Sequence, residues 1–208
     1  MHSVSRSGAD ALVRLPLFPL KTVLFPRGRL ALRIFEQRYL AMAKRCLADG
    51  APFGVCLITE GEEVARRDAT APKFAAIGTC ARIGTWDMPQ LGILQIAADG
   101  AERFAVHAHE VLTDGLVMAE VAPIAPEPRT AISAQRRELA QFLELVASRV
   151  DPRHLPDERA FDDASWVCGR LAELLPLPLA QKQTLLEMND ADARLAALQQ
   201  FIDDSRLL

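Results

Sequence analysis

Two histidines, His107 and His109, stand two apart in a stretch that reads as a strand. On a strand both imidazoles point to one face, which is how two of them can share a metal ion. Glu110 is the one obvious third ligand nearby, so a structural or solvated pair is the simpler reading. His109-Glu110 also opens like a zinc-binding HExxH helix, but Thr113 stands where the second histidine would be. Asp162-Asp163 and Asp203-Asp204 resemble paired catalytic carboxylates, yet both fall near expected helix ends, where capping and solvation account for them. Cys46, Cys56, Cys80 and Cys168 are separated by gaps of 10, 24 and 88 residues, which form no CxxC pair and no zinc-ligand spacing. A P-loop needs a Gly-Lys pair and a nucleophile elbow needs GxSxG; neither occurs. The residues give no reason to expect a catalytic group, a bound metal or a cofactor.

Binding chemistry is better represented. Residues 1–45 carry nine basic side chains against Asp10 and Glu36, whereas residues 126–208 carry ten basic and fourteen acidic ones, within a net charge of −3. Arg27, Arg29, Arg33, Arg38, Lys44 and Arg45 lie close to Phe25, Phe35 and Tyr39, and cations interleaved with aromatics can grip phosphates and stack bases. Against an RNA site, Phe35 and Tyr39 share a helical stripe expected to face the core. Trp86, beside the Asp87–Gln90 turn, is either an exposed aromatic for peptide contact or, more commonly for tryptophan, a core or hairpin-packing side chain.

The elements that position these residues follow from periodicity over 208 residues, half of them hydrophobic and a quarter charged. From Leu12 to about Ile124, short apolar runs alternate with turn residues, as in a small sheet or barrel. Leu12–Leu20 contains Pro16 and Pro19, so it pairs as an edge strand or through its free positions. Phe53–Thr59, Phe74–Thr85, Leu91–Ala97, Arg103–His109 and Leu116–Ile124 read as strands, with Asp99-Gly100 signalling a hairpin turn. One helix interrupts them, with Phe35, Tyr39, Met42 and Cys46 at helical spacing and Gly50 as its cap. Pro123, Pro126 and Pro128 mark a boundary, after which the period becomes helical. Helices are expected from about Ile132, from Phe161 to Leu175, over Leu179–Met188, and beyond an N-cap at Asn189. Met1–Ala11 lacks the apolar run of a secretory signal and no stretch suits a membrane span, so a cytoplasmic protein with reduced thiols is expected.

The order of segments also resembles a known family. LPLFPLKTVLFPRGRLALRIFEQRYLAM, residues 15–42, looks like the opening signature of the Lon protease N-terminal, or substrate-binding, domain family. FGVCLITEGEEV at 53–64, IGTCARI at 77–83, DGAERFAVHA at 99–108 and DGLVMAEV at 114–121 resemble its later strands. PLPLAQKQTLLEMNDADARLAAL at 176–198 is similar to the helical part that follows. The family usually has Gly where Arg27 stands and Pro where Ala31 stands, so the turn after Pro26 is a place to look for a different shape. The resemblance implies an α+β fold: a PUA-like β pseudo-barrel with one helix over residues 12–125, then a helical bundle over 130–208. It implies a stand-alone recognition part without the ATPase and Ser-Lys protease domains of full-length Lon, non-catalytic, binding unfolded or tagged polypeptides and not a membrane. The alternatives are a hydrolase or peptidase using the HxH pair or an unrecognised site, and an RNA-binding protein, because PUA-like barrels elsewhere bind RNA. The candidate binding surface is Arg33, Glu36, Arg38, Tyr39 and Trp86; Arg33, Glu36 and Arg38 either line that surface or lock the strand-to-helix corner.

Overall fold

The computed structural model describes residues 11–63, 72–151 and 155–204. Seven strands come first, interrupted by one helix: β1 (Val13–Leu20), β2 (Arg29–Ile34), α1 (Gln37–Asp49), β3 (Phe53–Glu60), β4 (Lys73–Phe74), β5 (Ile77–Gln90), β6 (Ile93–Val111) and β7 (Val117–Pro123). A 3-10 turn at Ala134–Arg136 leads into α2 (Arg137–Ala147), α3 (Ala164–Leu174), α4 (Leu179–Glu187) and α5 (Ala191–Asp204). Strands β1, β7, β6, β5 and β3 are neighbours in that order, and the parallel pairing of β3 with β1 closes the ring. The result is the pseudo-barrel with appended helices that the segment order implied. β2 lies outside the ring, antiparallel to the first half of β6.

β3 reads FGVCLI without polar interruption because it is buried on both faces. Val55 packs with α1, Cys56 inside the barrel and Leu57 against the helices. The prolines of β1 do not make it an edge strand. It pairs with β7 over Val13–Leu17 and with β3 over Leu17–Leu20. Successive residues aim their N–H groups to opposite sides, so two prolines three apart leave their gaps on opposite edges, and the change of partner falls between them.

Asp99-Gly100 is not a hairpin turn either. Both lie inside β6, a continuous strand of 19 residues. Glycine is needed there because the Phe25 carbonyl sits where a Cβ would be, and the chain at 27–28 bonds directly to it: Arg27 N–H to Gly100 O at 2.7 Å, Gly100 N–H to Gly28 O at 2.8 Å. The actual turns use Gly92 and Gly115, both with φ near +84°. Phe35 departs from its expected stripe as well. α1 begins after it, and the buried face is Tyr39, Met42, Ala43 and Cys46, ended by Gly50 at φ 61°. In the helical part, Asp190 takes the capping role expected of Asn189, accepting from the N–H groups of Asp192 and Ala193 at 2.9 Å. Asp163 caps α3 through the Ser165 N–H.

Strands and helices are joined by a buried ion network. Arg103 on β6 and Arg194 on α5 both pair with Glu127, in the proline-bearing segment that links the two parts. Arg103 also donates to the carbonyls of Leu186 at 2.6 Å and Met188 at 2.9 Å and to Asn189 Oδ1 at 2.9 Å, and Arg194 donates to Leu185 O at 2.8 Å. The Ser165 hydroxyl completes the carboxylate's shell at 3.0 Å. Removing the shared anion strands two cations away from water. Glu127→Gln should therefore cost about 3–5 kcal/mol of stability in denaturant unfolding; a loss below about 1 kcal/mol would show that the network is not the joint.

All four cysteines are free and lie in apolar surroundings. Burial pushes the Cys56 and Cys168 thiols up to about 12 and Cys80 up to about 11, and raises Cys46. A thiol with a raised pKa keeps its proton in the fold after the unfolded chain has released it. Its stabilisation is complete below the ordinary thiol value of about 8.5 and is lost as pH climbs toward the folded value. Unfolding midpoints should fall from about pH 9 to about pH 11, and Cys56→Ala with Cys168→Ala should flatten that slope. A slope that is unchanged in the double variant would assign the alkaline loss to other groups.

Candidate functional site

β2, β6 and β5 form a three-stranded surface whose inner side chains, Leu30, Leu32, Ile34, Leu94, Ile96 and Ala98, pack into the core beneath α1. The outer side chains form rows across the strands. Arg29, Asp99 and Arg82 make one row, Ala31, Ala97 and Thr85 the next, and Arg33, Gln95 and Asp87 the third. The middle row is short-chained between longer neighbours, which leaves a groove of about 620 Å³. Trp86, opposite Ile96, flanks it and is 57% exposed.

The charges in the groove differ in how far they are committed. Arg29 Nε donates to Asp99 at 2.9 Å and its Nη2 donates to Asp157 at 3.0 Å; these hydrogen bonds to the two carboxylates hold its guanidinium firmly protonated. Arg33 is exposed and makes no hydrogen bond or ion pair among the described residues. The groove thus offers one uncommitted cation and a floor of small side chains to an extended partner, with the exposed Trp86 at its border.

Of the five residues singled out from sequence, Arg33 and Trp86 meet at this groove. Glu36, Arg38 and Tyr39 lie together elsewhere, at the corner between β2 and α1. Arg38 Nη2 and Nε bind Glu36 Oε2 at 3.0 and 3.2 Å, and Nη1 donates to the Gly115 carbonyl at 2.8 Å. The Arg38 guanidinium lies 4.4 Å from the Tyr39 ring centroid, and Tyr39 stacks on Phe18 at 3.9 Å. Tyr39 is 3% exposed, and burial pushes its phenol up to about 12. Sequence reasoning missed the floor residues Ala31 and Ala97 and the neighbouring Gln95. Their signal was present in the alternation of small or polar with large residues along RLALRI and ILQIAA.

The other constellations are accounted for locally. Arg27 binds Glu158 at 2.8 Å and Asp163 at 2.6 Å, and Phe25 is buried, so this part of the basic and aromatic head is occupied within the fold, while Phe35, Lys44 and Arg45 are exposed. Arg27 has φ 59°, the left-handed conformation expected where the family usually carries glycine. The β6–β7 ladder slips between Val106 and Ala108, which puts His107 at an irregularity, while the His109 ring meets Phe74 at 4.9 Å. Glu110 pairs with Arg14, and no cluster of three or more His, Cys, Asp or Glu side chains suited to a metal occurs among the described residues. No helix among them is long and apolar enough to cross a membrane.

The strands close into a pseudo-barrel with a helical annex and an open groove, and comparison with known proteins names the family. The chain belongs to the family described as the ATP-dependent protease La (LON) substrate-binding domain, whose model matches residues 14–204. Its curated relatives include a Lon protease of Brevibacillus choshinensis, 22% identical over 92% of this chain, and Lon protease 2 of Herpetosiphon aurantiacus, 27% identical over 94%. The chain spans about a quarter of the length of these relatives. Among solved structures, it is similar to a Lon N-terminal domain protein from Xanthomonas campestris, 37% identical, with TM-score 0.73 over 90% of this chain and 98% of that one. The N-terminal domain of a Mycobacterium avium complex Lon protease, 17% identical with TM-score 0.59 over 92% and 99%, shares the fold.

The geometry separates corner from groove, and so does the expected behaviour of variants. Arg38→Ala should lower stability by about 1–3 kcal/mol, through loss of a charged hydrogen bond to Gly115 and of the Glu36 pair. It should leave Trp86 fluorescence and groove binding unchanged once the protein is folded.

Proposed function

We propose that the chain is a recognition module without chemistry of its own, which receives unfolded or tagged polypeptide across the β2–β6–β5 groove. Membership in a substrate-binding family supports recognition of polypeptides in general. The observation that carries the finer reading is an uncommitted Arg33 beside the short-chained row Ala31, Ala97 and Thr85, with the exposed Trp86 bordering the groove from the other side of β5. A groove of that kind admits an extended backbone and leaves its side chains room on either flank. Trp86 supplies apolar contact and Arg33 attracts acidic groups, so neither demands a particular sequence. Reduced, buried thiols suit work in the cytoplasm.

The test is fluorescence anisotropy of a labelled, permanently unfolded polypeptide titrated with the protein, with intact mass taken from the same tube after several hours. Binding with the polypeptide intact is expected, and Trp86→Ala and Arg33→Glu should each weaken it by about tenfold. Cleavage that copurifies with the protein and disappears on mutating a named side chain would make it an enzyme. Binding that is indifferent to both variants would move recognition off the groove.

A further inference from the structure

The β5–β6 hairpin carries a stretch of sheet edge with no strand against it. β5 lies beside β3 only over Thr79–Ala81, so from Arg82 onward its far side is unpaired among the described residues, while β6 pairs its near side. Trp86, Met88 and Leu91 are exposed along this arm, Leu91 at 93%. Open edges invite another strand. The distal end is sealed, since Asp87 Oδ1 takes the Met88 N–H at 2.8 Å and Pro89 has no N–H to offer. What stays open is Arg82–Asp87.

That stretch, RIGTWD, is complementary to itself. In a regular strand residues five apart point to opposite faces, so Arg82 and Asp87 could not meet in a two-fold antiparallel pair. Gly84 changes the parity. The ladder passes from Ile83 opposite Ala98 to Thr85 opposite Ala97, which makes Gly84 an inserted residue. Arg82, Thr85 and Asp87 consequently share the outer face, and Ile83 and Trp86 share the inner one. Two antiparallel copies related by an axis between Gly84 and Thr85 set Arg82 against Asp87 and Ile83 against Trp86, each twice. Opposite charges and an aromatic facing a β-branched residue are favourable cross-strand pairs. Both charges are also held at the edge, Arg82 by its Nη1 bond to the Gly50 carbonyl at 3.1 Å and Asp87 by the Met88 N–H, with Asp87 Oδ2 still open.

We propose that a second copy of this chain is the occupant of the β5 edge, joined by a two-fold antiparallel pairing centred between Gly84 and Thr85. The outer faces of both copies then form one six-stranded surface, and the two grooves lie side by side across the axis. That doubled surface rests on the function proposed above; the pairing itself does not.

Sedimentation velocity of the full chain over a range of concentrations tests it. A concentration-dependent dimer is expected. Arg82→Asp, which faces Asp with Asp, and Asp87→Arg, which faces Arg with Arg, should each weaken it by about tenfold or more, and the Arg82→Asp/Asp87→Arg double variant should restore it. Circular dichroism melts establish that the variants are folded. A protein that stays monomeric throughout overturns the proposal, and so does a dimer that neither single variant weakens or that the double variant fails to restore. Anisotropy with unfolded polypeptide in the same samples keeps the readings apart: a wild-type dimer that does not bind the polypeptide counts against the groove and supports the pairing.

Discussion

The architecture depends on one carboxylate shared by two buried arginines. Glu127 comes from the proline-bearing segment, Arg103 from the middle of β6 and Arg194 from α5, so a single anion ties strands, linker and helices at one point. Further donors of both arginines go to the carbonyls of Leu185, Leu186 and Met188, at the C-terminal end of α4. Those carbonyls have no partners within their own helix, and the end of a helix attracts cations. The arginines need acceptors after losing water, and the helix end needs donors.

From this joint the constraint passes to the groove. Fixing α3 against the barrel places Arg170 and Glu173 beneath the turn that precedes β2. The Glu173 carboxylate accepts the Phe25 N–H at 2.9 Å, and Arg170 donates to the carbonyl of Arg27. Burial raises the carboxyl and lowers the guanidinium, and their mutual attraction at 3.0 Å opposes both shifts. Gly28 lies so close to this pair that a side chain there would collide with both. The turn is therefore set by the helices, and it delivers Arg29, Ala31 and Arg33 to the outer face in register with β6.

The strands, the helix between them and the helical tail were legible in the sequence because apolar period and turn chemistry are local. Several features were not, and for a common reason. Asp99-Gly100 carries the chemistry of a turn, but the glycine serves a close approach by residues 25–28 that no local pattern announces. Pro16 and Pro19 argue for an edge until the strand is seen to change partner between them. Phe35 fits a helical stripe that the backbone has not yet begun. The resemblance supplied topology and singled out the stretch from β2 into α1, where Arg33 faces out while Glu36 and Arg38 close on each other. That distinction depends on which side of β2 each residue occupies and on the Gly115 carbonyl, 77 residues further along the chain.

Charge distribution along the chain acquires a different meaning in three dimensions. A basic head and an acidic tail suggest a polyanion partner when read as composition. In the fold, Arg27 meets Glu158 and Asp163, Arg29 meets Asp157, and the Phe25–Arg27 turn meets Arg170 and Glu173. Part of the asymmetry, through Arg27 and Arg29, holds helices to barrel, where it adds direction to a hydrophobic contact that has none of its own. Of the two arginines lining the groove, the one nearer the joint is held by carboxylates and the one farther out is not. Arg33 has no ion pair among the described residues, so its charge remains available on the exposed face.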